Sequence, residues 1–123
     1  MKHISIGEAE LEIMKVIWKA KEPITSLEIG RAVESKGWKK TTIATFLTRL
    51  VEKGALKAEK QGKLYYYTSM ITEKEYRQSQ TKNLIQSLYN GSVREFTAAF
   101  FEEQTFTDKD IQELRAMLDE MEE

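Results

Sequence analysis

Five times in this chain a serine or threonine stands three residues ahead of an acidic residue, at the head of a stretch with helical apolar spacing. The pairs are Ser5 with Glu8, Thr25 with Glu28, Thr72 with Glu75, Ser92 with Glu95 and Thr107 with Asp110. Such a capping box satisfies two backbone N–H groups that a helix start leaves unpaired, so each pair marks where a helix begins. Ile24 with Ile29, Ile71 with Tyr76 and Phe106 with Ile111 add the apolar staple that packs the residue before the cap against the fourth helical position. Caps and spacing together predict helices at about 6–20, 26–36, 41–53, 73–89, 93–103 and 108–121. Only after the third helix does the pattern change. Ala55-Leu56-Lys57-Ala58-Glu59, a turn at Lys60-Gln61-Gly62-Lys63, and Leu64-Tyr65-Tyr66-Tyr67-Thr68 read as one β-hairpin, with Gly62 free to take a positive φ.

The fold class expected is mostly α with one β-hairpin. Three helices followed by a hairpin is the order of a winged helix-turn-helix, with the hairpin as the wing and the third helix as the recognition element. Composition narrows the chemistry further. There is no cysteine, and the lone His3 cannot build a metal cluster, so no metal and no cofactor is expected. Carboxylates such as Glu102 and Glu103 sit on ordinary charged helix surface without a base, a nucleophile or a phosphate-cradling loop, which argues against an enzyme. Apolar runs are far shorter than the ~20 residues that cross a bilayer, and the N-terminus has no apolar signal core. A cytoplasmic protein without membrane insertion is expected.

Net charge is −1, but its distribution is uneven. Residues 1–70 hold 13 basic and 8 acidic side chains, +5, whereas residues 71–123 hold 6 and 12, −6. That change of sign places the expected domain boundary at Met70, with a winged-helix domain at 1–70 and three helices at 71–123. Lys36 to Lys63 alone carries 8 basic and 2 acidic residues, a local +6 that suits a polyanion such as nucleic acid. On the third helix Ile43, Phe46, Leu47, Leu50 and Val51 have core-facing spacing, and Thr42, Thr45 and Arg49 share an outer stripe. Short hydroxyl side chains let a helix approach base edges closely, while Arg49 can reach a phosphate. Lys60 and Lys63 flank the tip of the wing. A winged helix used as a protein-interaction module, with dispensable threonines, is the alternative.

The segments Glu10-Leu11-Glu12-Ile13-Met14-Lys15-Val16-Ile17-Trp18, Gly37-Trp38-Lys39-Lys40-Thr41-Thr42-Ile43 and Thr45-Phe46-Leu47-Thr48-Arg49-Leu50-Val51-Glu52-Lys53-Gly54-Ala55-Leu56 resemble the penicillinase and methicillin-resistance repressors of the BlaI/MecI type. Tyr65-Tyr66-Tyr67, Asn90-Gly91 and the tail Asp110-Ile111-Gln112-Glu113-Leu114-Arg115 match in order, so the resemblance covers nearly the whole chain. It implies a homodimeric repressor on a palindromic operator with TACA and TGTA half-sites, upstream of a β-lactamase or related resistance gene. Carried over by position, it puts Thr42 and Thr45 at base edges. Lys39, Lys40, Thr41, Arg49, Lys60 and Lys63 then lie along the DNA backbone. Family members often have Ser-Pro where this chain has Lys39-Lys40, and a basic or amide residue in place of Ala44. Copper-responsive relatives carry C-terminal cysteines that this chain lacks. The family is released from DNA when a membrane sensor protease pathway leads to cutting at an Asn-Phe bond; the matching bond here is Ala99-Phe100.

The second half carries apolar residues beyond what about 50 residues can bury alone: Leu84, Leu88, Phe96 and Phe100, then Ile111, Leu114, Leu118 and Met121 at alternating spacings of 3 and 4. A second copy of the chain is the expected cover, with packing on the winged helix as the alternative.

Overall fold

The structure, a computed structural model, describes residues 4–103 and 105–122. The elements are α1 (Glu8–Lys19), β1 (Ile24–Thr25), α2 (Ser26–Ala32), α3 (Lys40–Glu52), β2 (Leu56–Gln61), β3 (Leu64–Ser69), α4 (Glu73–Tyr89), α5 (Val93–Glu103) and α6 (Asp108–Glu122). They form two compact units, residues 1–80 and 81–123. No described helix is long and apolar enough to cross a membrane.

The caps explain most of the helix starts. Thr25 and Glu28 exchange both bonds: the Glu28 N–H donates to Thr25 Oγ1 at 3.2 Å, and the Thr25 N–H donates to Glu28 Oε1 at 3.1 Å. Thr72 with Glu75 and Thr107 with Asp110 do the same, at 3.0 to 3.1 Å. At Ser92 only the forward bond forms, from the Glu95 N–H at 3.1 Å, because the Ser92 N–H already donates to the Tyr89 carbonyl at 2.8 Å. The Ser5–Glu8 expectation is corrected. Helix α1 begins two residues later, with Gly7 as its cap, because Glu10 turns back to accept the Gly7 N–H at 2.8 Å.

Helix α2 also stops short of the expected end. Its C-cap Val33 turns into the core, a single 3₁₀ turn covers Glu34–Lys36, and Gly37 closes the segment at φ 69°, a left-handed conformation that glycine adopts without strain.

The hairpin pairs Leu56 with Ser69 through to Gln61 with Leu64, and Gly62 makes its turn at φ 65°. A third strand joins it. β1 pairs antiparallel with β3, Ile24 against Tyr67 and Thr25 against Tyr66, giving the order β1-β3-β2. Two residues are too few to show strand alternation in a sequence, and both were legible only as staple and cap.

The core of the first unit is built where helical spacing meets the sheet. Ile13, Met14 and Ile17 of α1, Ile29 of α2, and Ile43, Leu47 and Leu50 of α3 close on Ala55 and Leu56. Each of the isoleucine, leucine and methionine side chains contributes about 1.5–3 kcal/mol by leaving water. Ile71 and Tyr76 join the same cluster, so the first unit runs past Met70 into the first turns of α4. The charge shift cannot separate the two positions, since residues 71–80 add two basic and two acidic side chains.

Candidate nucleic-acid interface

Three buried side chains, Ile43, Leu47 and Leu50, set which face of α3 looks outward. At its start Phe46 meets Trp38 edge-on, ring centroids 5.2 Å apart, which fixes the entry of the helix. Val51 departs from its expected place in the core and is 36% exposed. Eight residues at about 100° each carry it some 80° round from Ile43, past the edge of the buried stripe.

The outer face holds the residues singled out from the sequence. Thr41, Thr45, Thr48 and Arg49 are exposed and Thr42 is half-buried. The Thr45 hydroxyl donates to the Thr41 carbonyl and that of Thr48 to the Ala44 carbonyl, both at 2.9 Å. Their hydrogens are therefore spent inside the helix, leaving oxygen lone pairs and γ-methyl groups to meet a ligand. In this rotamer Thr45 can accept from an exocyclic amine or pack on a thymine methyl. Lys39 is the N-cap but supplies no side-chain bond, so the first-turn amides of α3 keep their pull on an anion, with exposed Lys39 and Lys40 beside them. The only acidic residue of α3 is Glu52, at its far end.

The far end is held by a pair that the sequence reading missed. Glu10 is 5% exposed, and its Oε1 accepts from Lys53 Nζ at 2.5 Å as well as from the Gly7 N–H. Burial alone would raise its pKa. The Lys53 hydrogen bond, the Gly7 N–H and the charges of Lys53 and Arg49 outweigh burial and hold the carboxyl below its ordinary 4.5. The clue lay in the spacing Glu10, Ile13, Met14, Ile17, which puts Glu10 on the buried stripe of α1. Beside it Tyr76 of α4 stacks at a tilt on Trp18, centroids 5.7 Å apart, and burial together with the Glu10 charge raises its phenol pKa. The Trp18 indole N–H donates to the Ile71 carbonyl at 2.8 Å and to Ser69 Oγ at 3.0 Å, which ties the start of α4 to α1.

On the wing, Lys60 and Lys63 are exposed as expected. Tyr67 packs against the core, and burial, with a smaller contribution from Tyr65, raises its phenol pKa. Tyr65 stays 49% exposed, with Lys60 Nζ 5.9 Å from its ring centroid.

The second unit keeps most of its apolar residues at the surface. Leu84 is 42%, Leu88 70%, Phe100 48%, Leu118 60% and Met121 74% exposed; Ile111 and Leu114 are each 38% exposed, and Phe96 is half-buried. A groove of about 540 Å³ runs between α5 and α6, lined by Phe96, Phe100, Phe101, Phe106, Leu114, Leu118 and Met121, among others. Ala99 is half-buried within α5, and the Phe100 ring lies 6.1 Å from Phe96 and 5.6 Å from Phe106. Among the described residues no group of three His, Cys, Asp or Glu side chains is placed to hold a metal ion.

A helix-turn-helix with its third helix pinned from behind, threonines and basic residues outward, and a lysine-tipped hairpin alongside is a winged-helix repressor fold. The chain matches the penicillinase repressor family over residues 6–120 and belongs to it. That family is one of transcriptional repressors, not of enzymes. It is 36% identical over 121 residues to the penicillinase repressor of Bacillus licheniformis, covering 98% of this chain and 94% of that one. It is 32% identical over 117 residues to the methicillin resistance regulatory protein MecI of Staphylococcus aureus strain N315, covering 95% of each. Among solved structures, the DNA-binding domain of the repressor BlaI superposes with a TM-score of 0.55 at 44% identity, over 62% of this chain and 94% of that one. The monomeric form of Bacillus licheniformis BlaI in complex with the blaP half-operator matches with a TM-score of 0.53, also at 44% identity and over the same shares of the two chains.

Proposed function

We propose that this repressor is a homodimer that binds a palindromic operator in duplex DNA, one half-site per α3. Thr42 and Thr45 read base edges, while Lys39, Lys40, Thr41, Arg49, Lys60 and Lys63 meet the backbone. The observation that supports this reading most is the outer face of α3, a row of threonines and basic side chains with no acidic residue before Glu52, on a domain similar to one solved with a half-operator. Dimerisation falls to the second half, whose exposed Leu84, Leu88, Phe96, Phe100, Ile111, Leu114, Leu118 and Met121 need a cover that a second copy supplies. The regulated gene is a β-lactamase or related resistance gene, and the setting is the cytoplasm.

Release follows a membrane sensor protease pathway that leads to cutting at Ala99–Phe100. That bond lies inside α5, so the helix must open locally before a protease can bind it as an extended strand. Alanine in place of asparagine before the bond removes an amide that a protease could have hydrogen-bonded, so cutting depends on the phenylalanine side.

Titration against operator and scrambled duplexes at several salt concentrations tests the α3 assignment. Thr45→Ala costs about 1 kcal/mol or more on operator only, whereas Arg49→Ala weakens both duplexes alike and flattens the salt dependence. An unchanged operator preference in Thr42→Ala, Thr45→Ala would show that the base contacts lie elsewhere and favour the protein-interaction reading.

A further inference from the structure

The β2–β3 register sets Lys60 directly opposite Tyr65, Ala58 opposite Tyr67 and Leu56 opposite Ser69. Residues paired this way share one face of the sheet. That face starts in the core, where Leu56 is 3% exposed and Tyr67 is packed, and runs off it at the Lys60–Tyr65 pair. There the tyrosine ring has no core left to fill. It is half exposed, and the Lys60 ammonium lies 5.9 Å from its centroid. Together the two exposed side chains offer hydrogen-bond donors, three on the ammonium and one on the phenol. The nearest carboxylate on the strand, Glu59, is on the opposite face by alternation and is engaged by Lys57 at 2.8 Å. One charged and one neutral donor grouped on a face without a carboxylate, on a hairpin stiffened by six paired positions, fit an oxyanion held in place, and Lys63 in the adjoining turn adds to the same field.

We propose that Tyr65 is a DNA-backbone contact of the wing, its phenol O–H and the Lys60 ammonium donating to one phosphate beside the stretch read by α3. The inference rests on duplex binding by this domain and adds the wing residue that anchors it. The ring lies against the sugar, so the contact fixes position along the groove without reading sequence. A phosphodiester of duplex DNA is the intended ligand rather than free phosphate, because only the duplex brings the α3 contacts and the wing contact to bear at once.

The test uses the full chain, the duplex most enriched from a random pool, and a scrambled duplex of the same length. Tyr65→Phe keeps the ring and loses only the hydroxyl. It should weaken both duplexes about 3- to 10-fold with an unchanged ratio between them and an unchanged salt slope, since a neutral phenol displaces no counterion. Lys60→Ala should lower the salt slope by about one per wing. Replacing single phosphates by methylphosphonates should reveal one flanking position that weakens the natural protein more than Tyr65→Phe, which there loses only the Lys60 contact; a purely structural tyrosine would not show that coupling. Inorganic phosphate at concentrations that leave the salt slope unchanged should not displace the duplex; displacement would mean a free-phosphate site and overturn the assignment. Equal binding by Tyr65→Phe and the natural protein on both duplexes overturns it as well. If the natural protein fails to prefer the enriched duplex while Tyr65→Phe still weakens binding, the α3 reading fails and the wing contact stands.

Discussion

Replacing Lys53 by methionine keeps the aliphatic stem and removes the charge that sits on Glu10. The carboxylate, 6% exposed in its side chain, would keep only the Gly7 N–H. Breaking a fully buried pair in this way costs about 3–5 kcal/mol; here Lys53 is 36% exposed, so water reaches the site and about 2 kcal/mol is the better figure. For a unit of this size that lowers the melting temperature by about 8–16 °C. The pH dependence separates this cause from lost packing. In the natural protein Glu10 is held below 4.5, so its contribution is present above that value and fades as pH falls through the lower, folded one. In Lys53→Met only the Gly7 N–H and the Arg49 charge are left to oppose burial, so the folded pKa rises. The variant is then penalised most at neutral pH, and its deficit shrinks as acid protonates Glu10. Urea unfolding followed by tryptophan fluorescence at pH 7 and near pH 4.5 measures both, because Trp18 and Trp38 both lie in the first unit. A deficit of the same size at both pH values, or none at pH 7, would refute the reasoning. Glu10→Gln with Lys53→Met should recover part of the loss.

Cutting the chain after Gln80 should leave a folded monomer by sedimentation, whereas cutting after Met70 removes Ile71 and Tyr76 from the core and should leave a fragment with a broad, early unfolding transition. Thr25→Ala should cost about 1 kcal/mol. It should also lessen an acid dependence, since the Thr25 N–H, which alanine keeps, and the hydroxyl, which it loses, together hold Glu28 below 4.5 and that support is lost as pH falls through the folded value; denaturant midpoints across pH 3–6 check both. A fragment of residues 1–99 should bind a single half-site as well as the full chain but the palindrome about 10²- to 10⁴-fold more weakly, measured by titration of the two duplexes.

Helix starts were legible because a cap is a local bargain between residues three apart, and Thr25, Thr72 and Thr107 keep both halves of it. Ser5 misled because Glu10, three residues before Ile13 on the buried stripe of α1, has a stronger claim on the backbone: its carboxylate is fixed by Lys53, 43 residues away, and a long-range partner leaves no local trace. The same holds for β1, whose reason to be a strand is Tyr66 and Tyr67. On α3 the apolar spacing told inside from outside except at Val51, on the margin of the stripe. Which way each threonine hydroxyl points was not legible, because that depends on a rotamer and not on spacing. The wing was read as a hairpin with lysines at its tip, but the opposition of Lys60 and Tyr65 follows from a register that a four-residue turn reading does not set.

Helix α4 shows how one continuous element serves two units. Its first turns give Tyr76 to the core of the first unit, and its last give Leu84, Ile85, Leu88 and Tyr89 to the second. Between them Arg77-Gln78-Ser79-Gln80-Thr81-Lys82-Asn83 contains no apolar residue. What the second unit contributes to operator binding under the proposed dimer is the presence of a second reader at high local concentration. Control can then act at the second unit alone. Removing the residues after Ala99 takes away Phe100, Phe101, Phe106 and the Ile111–Met121 stripe while Thr42, Thr45, Arg49 and the wing keep every contact they have. Under the proposed dimer the reader is left intact and only its pairing is lost, so an apolar surface in the second unit decides whether the gene is silent.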